Sequence, residues 1–388
     1  MGIPEKIEAI QKDLHRTQVN KHTERYIGIQ KAKIAKLKRE EEADRNRGGG
    51  SSLGYAVKKS GDATVVLIGL PNVGKSTLLN RLTNTKSKVA AYQFTTLTVV
   101  PGMMEYKGAR IQILDLPGII NGASSGKGLG KRVLSVVRSA DLILFIVEAY
   151  QPETLSILKE EVRNIGIRPD ERQPRLTIEK TDSDGILVNT LVKMTKMTVD
   201  TVKKILQEFD IHNAMVMINE DASYDQLIDV LLQNCKYVPT VTVMNKIDLV
   251  PLESLNEIKS KINYSFIPIS ADANLNIDQL KEKIYEKMGF IRVFMRPKGG
   301  ETDYEKPMIL KNNASVLDVC NKVHRGMKNA LHYAQISGKS VKYSGQKVGI
   351  THHVMDGDVI TLVTKEMHEQ SRAPKRLRNQ SDNTKQFA

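Results

Sequence analysis

The chain has 388 residues, 40% of them hydrophobic, and a formal net charge of +14 from 58 Lys and Arg against 44 Asp and Glu. That length exceeds one core and predicts about two to four domains; nothing approaches the ~18 uninterrupted apolar residues of a membrane helix, and Met1 to Lys12 lacks the apolar centre of a secretory signal. Cys235 and Cys320 lie far apart without metal-ligand spacing, which predicts two buried thiols in a cytoplasmic protein rather than a disulfide or redox pair.

Residues 1–47 are polar, with 12 Lys/Arg against 8 Asp/Glu, and carry apolar residues at Ile3, Ile7, Ile10 and Leu14 and again at Tyr26, Ile27, Ile29, Ile34 and Leu37. This spacing predicts two amphipathic helices in a hairpin. Three roles stay open for it: binding RNA, binding a regulatory protein, or packing on the domain that follows. Gly48-Gly49-Gly50-Ser51-Ser52 then reads as a flexible joint, so the helical region is placed at 1–50.

From Thr64 short apolar runs alternate with helical segments, which predicts an α/β domain with a mainly parallel sheet. Strands are predicted at Thr64–Ile68, Arg110–Leu114, Asp141–Val147, Thr240–Met244 and Phe266–Ile269. Their near-continuous apolar character fits burial on both faces. About ninety residues separate the third and fourth strands, far more than a crossover needs. Within that stretch Arg175–Glu179, Ile186–Asn189 and Ala214–Ile218 read as strands, and Thr198–Phe209 and Tyr224–Gln233 as helices. A small α+β domain is therefore expected at 151–237, inserted into an α/β domain formed by 61–150 and 238–289. A helix at Ile277–Met288 closes the latter. Ile291–Met295 (strand), Val316–Val323 (helix) and Asp358–Val363 (strand) then mark a separate mixed domain at 290–365. Residues 366–388 are polar and basic, without apolar periodicity, and are predicted to be disordered.

Gly69-Leu70-Pro71-Asn72-Val73-Gly74-Lys75-Ser76 fits G-x(4)-G-K-[ST] between a predicted strand and a predicted helix. Backbone N–H groups of such a loop, continued by Thr77 at the helix start, close around phosphates. Lys75 reaches the β- and γ-phosphates, and the Ser76 hydroxyl ligates Mg²⁺. Asp115-Leu116-Pro117-Gly118 ends the next strand; there Asp115 is placed to meet Mg²⁺, usually through water, and the Gly118 amide to sense the γ-phosphate. Asn245-Lys246-Ile247-Asp248 follows another apolar strand. A carboxylate there accepts from the ring N–H and the exocyclic amine of guanine, a donor pair that adenine lacks. Ser270-Ala271, after the last strand, is expected to bring a backbone N–H to guanine O6. Four elements in this order, each at a strand's carboxyl end, converge where α/β sheets bind ligands. They predict a GTP-hydrolysing enzyme.

Ile119 stands where Ras-like enzymes place a water-orienting Gln, and a hydrocarbon side chain cannot orient water. Asn72 has two readings: a carbonyl ligand for a monovalent cation beside the phosphates, or a residue chosen for turn geometry.

Asn72, Tyr92-Gln93-Phe94-Thr95-Thr96-Leu97, Asp115–Gly118 and the glycine-rich run from Gly122 to Gly130 resemble the Obg/DRG group of GTPases. The lack of an N-terminal glycine-rich Obg domain, together with the insert and the C-terminal segment, points to the developmentally regulated GTP-binding (DRG) branch. The likeness covers roughly residues 1–365. It implies that Tyr92–Leu97 is switch I, with Thr95 or Thr96 completing the Mg²⁺ shell, and that residues 115–130 are switch II. It implies potassium-stimulated hydrolysis with Asn72 as a K⁺ ligand, so that Lys75, Asn72, Thr95, Thr96 and Gly118 carry the chemistry. Residues 290–365 resemble a TGS domain, a β-grasp module associated with RNA and ribosome contact. Gln93 departs from the family, which often has Pro there.

The positive excess favours an anionic partner, of which RNA is the commonest large one. With the resemblance, it implies a monomeric GTPase that acts with ribosomes or ribosomal RNA in translation. A ribosome-assembly GTPase and a GTP-gated scaffold for a regulatory protein are the alternatives. The TGS-like segment holds 12 Lys/Arg against 6 Asp/Glu, but few aromatics (Phe294, Tyr304, Tyr333, Tyr343), which favours phosphate or shape contacts over base reading.

Overall fold

A computed structural model describes residues 2–18, 20, 23–47, 60–83, 92–94, 97–116, 136–233, 235–324 and 326–365. The chain begins with helices α1 (Ile3–Arg16) and α2 (Glu24–Arg47), followed by strand β1 (Ala63–Gly69) and helix α3 (Lys75–Leu82). Strands β2 (Tyr92–Phe94), β3 (Leu97–Tyr106), β4 (Ala109–Asp115) and β5 (Leu142–Glu148) come next. Helix α4 (Thr154–Asn164) precedes β6 (Ile167–Pro169), β7 (Leu176–Lys180) and β8 (Ile186–Thr190). After them come α5 (Val199–Glu208), β9 (Ala214–Ile218), α6 (Tyr224–Leu232), β10 (Lys236–Val238) and β11 (Thr240–Asn245). A 3-10 turn (Ile247–Leu249), α7 (Leu252–Lys261), β12 (Ile267–Pro268) and α8 (Ile277–Met288) follow. The last elements are β13 (Phe290–Met295), β14 (Met308–Lys311), α9 (Val316–Val323), α10 (Met327–Ala330), β15 (Leu331–Ser337), β16 (Gln346–Val348) and β17 (Val359–Thr364). No helix among the described residues is long and apolar enough to cross a membrane.

The chain divides into two compact units, one of residues 1–56, 123–138 and 159–238, the other of 57–122, 139–158 and 239–388. In the second, seven strands form one sheet in the order β12-β11-β5-β1-β4-β3-β2. The five strands from β12 to β4 run parallel, and their apolar runs are buried under helices that include α3 and α8. Val65, Leu67, Ile113, Leu144 and Ile146 on the sheet meet Leu78, Leu79, Leu280 and Ile284 in this core, each worth about 1.5–3 kcal/mol of transfer free energy. The antiparallel pair β2–β3 at the edge is an addition to the predicted strands. Pro101 and Gly102 interrupt the apolar pattern of β3, as is tolerated toward a sheet edge.

The same unit holds a five-stranded sheet, β14-β13-β17-β15-β16, with α9 packed on one face through Val316, Val319 and Cys320. This sheet is fastened to the larger one. Ile309 and Phe290 join the core beside Tyr106 and Tyr285, Lys311 meets Asp141 at 3.2 Å and Lys322 meets Asp62 at 2.7 Å. Asp62 and Asp141 immediately precede β1 and β5, so the attachment lies at the amino ends of the parallel strands.

In the first unit the sheet β7-β9-β8 packs on α5 and α6 through Val216, Ile218, Val202, Ile205 and Leu227. Helix α2 adds Ala32 to that core and is held by Arg25–Asp200, Lys31–Asp225 and Lys36–Asp210 at 2.8, 3.0 and 2.7 Å. A Cβ on Gly28 would stand 3.4 Å from the Tyr224 ring carbon Cγ, at the edge of ordinary contact, so the helices meet closely there. Through α2 the hairpin packs on the segment between β7 and α6, where Ala32 and Gly28 meet its helices.

Candidate nucleotide site

All of β1 is buried up to Gly69. The chain then turns through Leu70-Pro71-Asn72-Val73, with Asn72 left-handed at φ 65°, and enters α3 from Gly74 at φ 88°. Gly74 has no substitute, because a Cβ there would sit 2.4 Å from Asn245 Nδ2 as well as being strained by its backbone angle. Lys75 folds back and donates from Nζ to Leu70 O at 2.7 Å and Gly69 O at 3.2 Å. Burial lowers its pKa, opposed by the charge of Asp115. Ser76 and Thr77 lie in the first turn of α3.

Asp115 ends β4 with 4% exposure. Its Oδ2 accepts from Ser76 Oγ at 2.9 Å, whereas Oδ1 is buried without a hydrogen-bond partner among the described residues. A buried carboxylate oxygen left so is costly. A hard divalent cation, which takes oxygen ligands and keeps several waters, fits this hydroxyl–carboxylate pair.

Asn245, 2% exposed at the end of β11, ties three loops together. Its Nδ2 donates to Val73 O at 2.8 Å, and its Oδ1 accepts from Ala271 N at 3.0 Å. The Ala271 amide is thus taken by a side chain, because a buried N–H needs an acceptor. Ser270 is fully buried and its Oγ accepts from Ala273 N at 3.0 Å. Lys246 is left-handed at φ 64°, and Asp248 stands exposed in the 3-10 turn.

Gly69 to Thr77, Asp115, Asn245 to Asp248, Ser270 and Ala271 all lie at the carboxyl ends of β1, β4, β11 and β12. Thr95, Thr96, Gly118, Ile119 and the glycine-rich run lie outside the described residues. No motif in the sequence marks Arg81. It donates from Nε to Ala271 O and from Nη2 to Asp272 O, both at 2.9 Å, and so braces the last loop on α3 across 190 residues of sequence.

Over 94% of both chains, the sequence is 50% identical to an uncharacterized GTP-binding protein of Methanocaldococcus jannaschii. It is 42% identical to developmentally-regulated GTP-binding protein 2 of Homo sapiens, over 94% of this chain and all of that one. The chain belongs to the developmentally regulated GTP-binding protein family. Another relative of this DRG protein, guanylate binding protein 128up of Drosophila melanogaster, is 44% identical over 94% of this chain and 99% of its own. Family models match residues 64–181 as a 50S ribosome-binding GTPase, 183–290 as the C-terminal region of that domain and 291–364 as a TGS domain. The DRG protein is accordingly a P-loop GTPase-fold protein of the GTP-binding class, from a domain family that typically uses Mg²⁺.

Proposed function

We propose that this DRG protein is a GTP-hydrolysing switch, dependent on Mg²⁺ and stimulated by K⁺, that acts with ribosomes or ribosomal RNA in translation. The observation that carries the GTPase reading is Asn245, which joins the phosphate loop at Val73 to the loop at Ala271 and so aligns phosphate and base sites as one body. The amides from Asn72 to Thr77 cradle the phosphates at the start of α3. Lys75 leaves its two carbonyl partners for the β- and γ-phosphate oxygens, whose charge favours the ammonium that burial opposes. Ser76 and Asp115, with Thr95 or Thr96, hold Mg²⁺; when bound, the ion neutralises charge on the transferring phosphoryl group. Asp248 selects guanine through two accepted hydrogen bonds, while Lys246, Ser270 and Ala271 frame the base. The Gly118 amide meets the γ-phosphate, and Asn72 Oδ1 helps hold K⁺, a charge in the place an arginine finger would take.

The translation role is supported by the +14 net charge and by the ribosome-binding description of the matched GTPase family. The test is co-sedimentation with ribosomes in GDP and in a non-hydrolysable GTP analogue across a salt series. Tighter, salt-sensitive binding with the analogue is the expected result. Equal binding in both nucleotides would refute the switch, and absence of binding at low salt would refute the ribosomal role.

A further inference from the structure

Strand β5 outlasts its apolar run. Its last residue, Glu148, is the register partner of Asn245 on β11, and the chain continues as Ala149-Tyr150 along the loop that carries Asp248. Three contacts tie these three residues to that loop. Ala149 N donates to Asn245 O at 3.2 Å, Glu148 Oε1 accepts from Lys246 Nζ at 2.5 Å, and Tyr150 Oη donates to Leu249 O. The contacts fall at both ends of the segment that presents Asp248.

Besides these, the segment is held by Ile247 N donating to Ile269 O and by two turn bonds, Leu249 N to Lys246 O and Val250 N to Ile247 O, each at 3.2 Å. Lys246 sits in the left-handed region, Asp248 and Leu249 are exposed, and the 3-10 turn is only three residues long, a geometry with weak internal hydrogen bonds. The two side chains that fasten it are otherwise hard to account for. Glu148 lies two residues past Ile146, the strand partner of Gly69, so it sets a negative charge at the mouth of an anion site unless Lys246 neutralises it. Tyr150 is 61% exposed and contributes little to any core. What they share is the loop between them.

We propose that Glu148 and Tyr150 are positioning residues for guanine recognition, holding Lys246 to Leu249 so that Asp248 accepts both guanine donors at once. This rests on the reading of Asp248 as the guanine-selecting carboxylate. A displaced carboxylate keeps one hydrogen bond and loses the second, since two bonds to a rigid base edge demand one orientation. The brace therefore acts on the part of affinity that depends on the exocyclic amine. Hypoxanthine lacks that amine, so the ratio of GDP to IDP affinity reads the two-point contact directly.

The experiment measures GDP and IDP affinity of the full chain as wild type, Glu148→Gln, Tyr150→Phe and the double variant. In the double variant GDP binding is expected to weaken about tenfold and IDP binding less than about threefold, which compresses the ratio. The accompanying loss in GTP turnover is expected in KM rather than kcat. Glu148→Asp, which keeps the charge on a shorter arm, should recover part of the ratio. Equal losses for GDP and IDP would mean a generally loosened site and overturn the proposal, as would unchanged affinities for both. A wild-type protein without preference for GDP over IDP would overturn the Asp248 reading and this one with it, a result visible before any variant is made.

Discussion

Asp248 gives the sharpest residue-scale expectation, because it is exposed and its side chain is available to a base. Asp248→Asn should move preference from GTP to XTP, since an amide can donate to the 2-oxo group of xanthine; unchanged GTP affinity in competition binding would refute the assignment. Asn72 needs more care. Its φ of 65° explains an asparagine there without any cation, because Asn tolerates the left-handed region better than most residues. Asn72→Ala would add about 1–2 kcal/mol of backbone strain to the loss of the amide, so Asn72→Gly is the cleaner variant. It should keep nucleotide affinity while removing the difference in GTP turnover between KCl and NaCl; a glycine variant that still responds to KCl would exclude Asn72 as the ligand. The thiols, by contrast, should be inert, although Cys235, expected to be buried, is only half-buried. Burial, with Asp229 alongside, pushes the Cys235 thiol up to about 12, and burial raises that of Cys320 as well. At pH 8 the Cys235 thiolate fraction is then about one in ten thousand. Ellman's reagent should read almost no thiol in the native protein and both after denaturation.

At the scale of elements, one ion pair stands out. Arg168 on β6 grips Asp229 on α6 with Nε and Nη2 at 2.6 Å each, and Asp229 is only 5% exposed. Arg168→Ala leaves that carboxylate buried without its cation and should cost about 3 kcal/mol, read as a fall in denaturant midpoint without a change in slope. The same scale explains what the sequence made legible. β1, β4, β5 and β11 were readable because continuous apolar runs mark strands buried on both faces, and the fold class followed from them. β2, β6, β10 and β16 have only three residues each, too few for any periodicity, whereas β12 falls within the predicted strand Phe266–Ile269. The phosphate loop and Asn245–Asp248 were readable because their chemistry is contiguous. Arg81, Glu148 and Tyr150 were not, because their partners lie 190, 98 and 99 residues away and only the fold brings them together.

At the scale of the whole molecule, the C-terminal sheet supports the larger sheet and carries none of the proposed GTP ligands. Every proposed GTP ligand lies between Gly69 and Ala271, so deletion of 290–388 removes none of them. It does remove Ile309 and Phe290 from the core shared with Tyr106 and Tyr285, and takes Lys311 and Lys322 from Asp141 and Asp62. The loss of one buried and one partly buried apolar side chain costs about 3–5 kcal/mol, which at ~2–4 °C per kcal/mol lowers the melting temperature by roughly 10 °C. Because this attachment is at the amino ends of the parallel strands, and the nucleotide site at their carboxyl ends, GDP affinity measured at 20 °C should stay within about threefold. Ribosome association should fall much further. If about four phosphate contacts go with the deleted lysines and arginines, the log–log salt slope flattens by roughly three, at ~0.7 per contact on single strands. Co-sedimentation of full-length and truncated chains, each over a salt series at 20 °C, separates the two effects. A truncated chain that holds GDP and binds ribosomes with the full-length slope would remove the C-terminal sheet from the contact and assign it to α1 and α2, whose region carries a basic excess of its own.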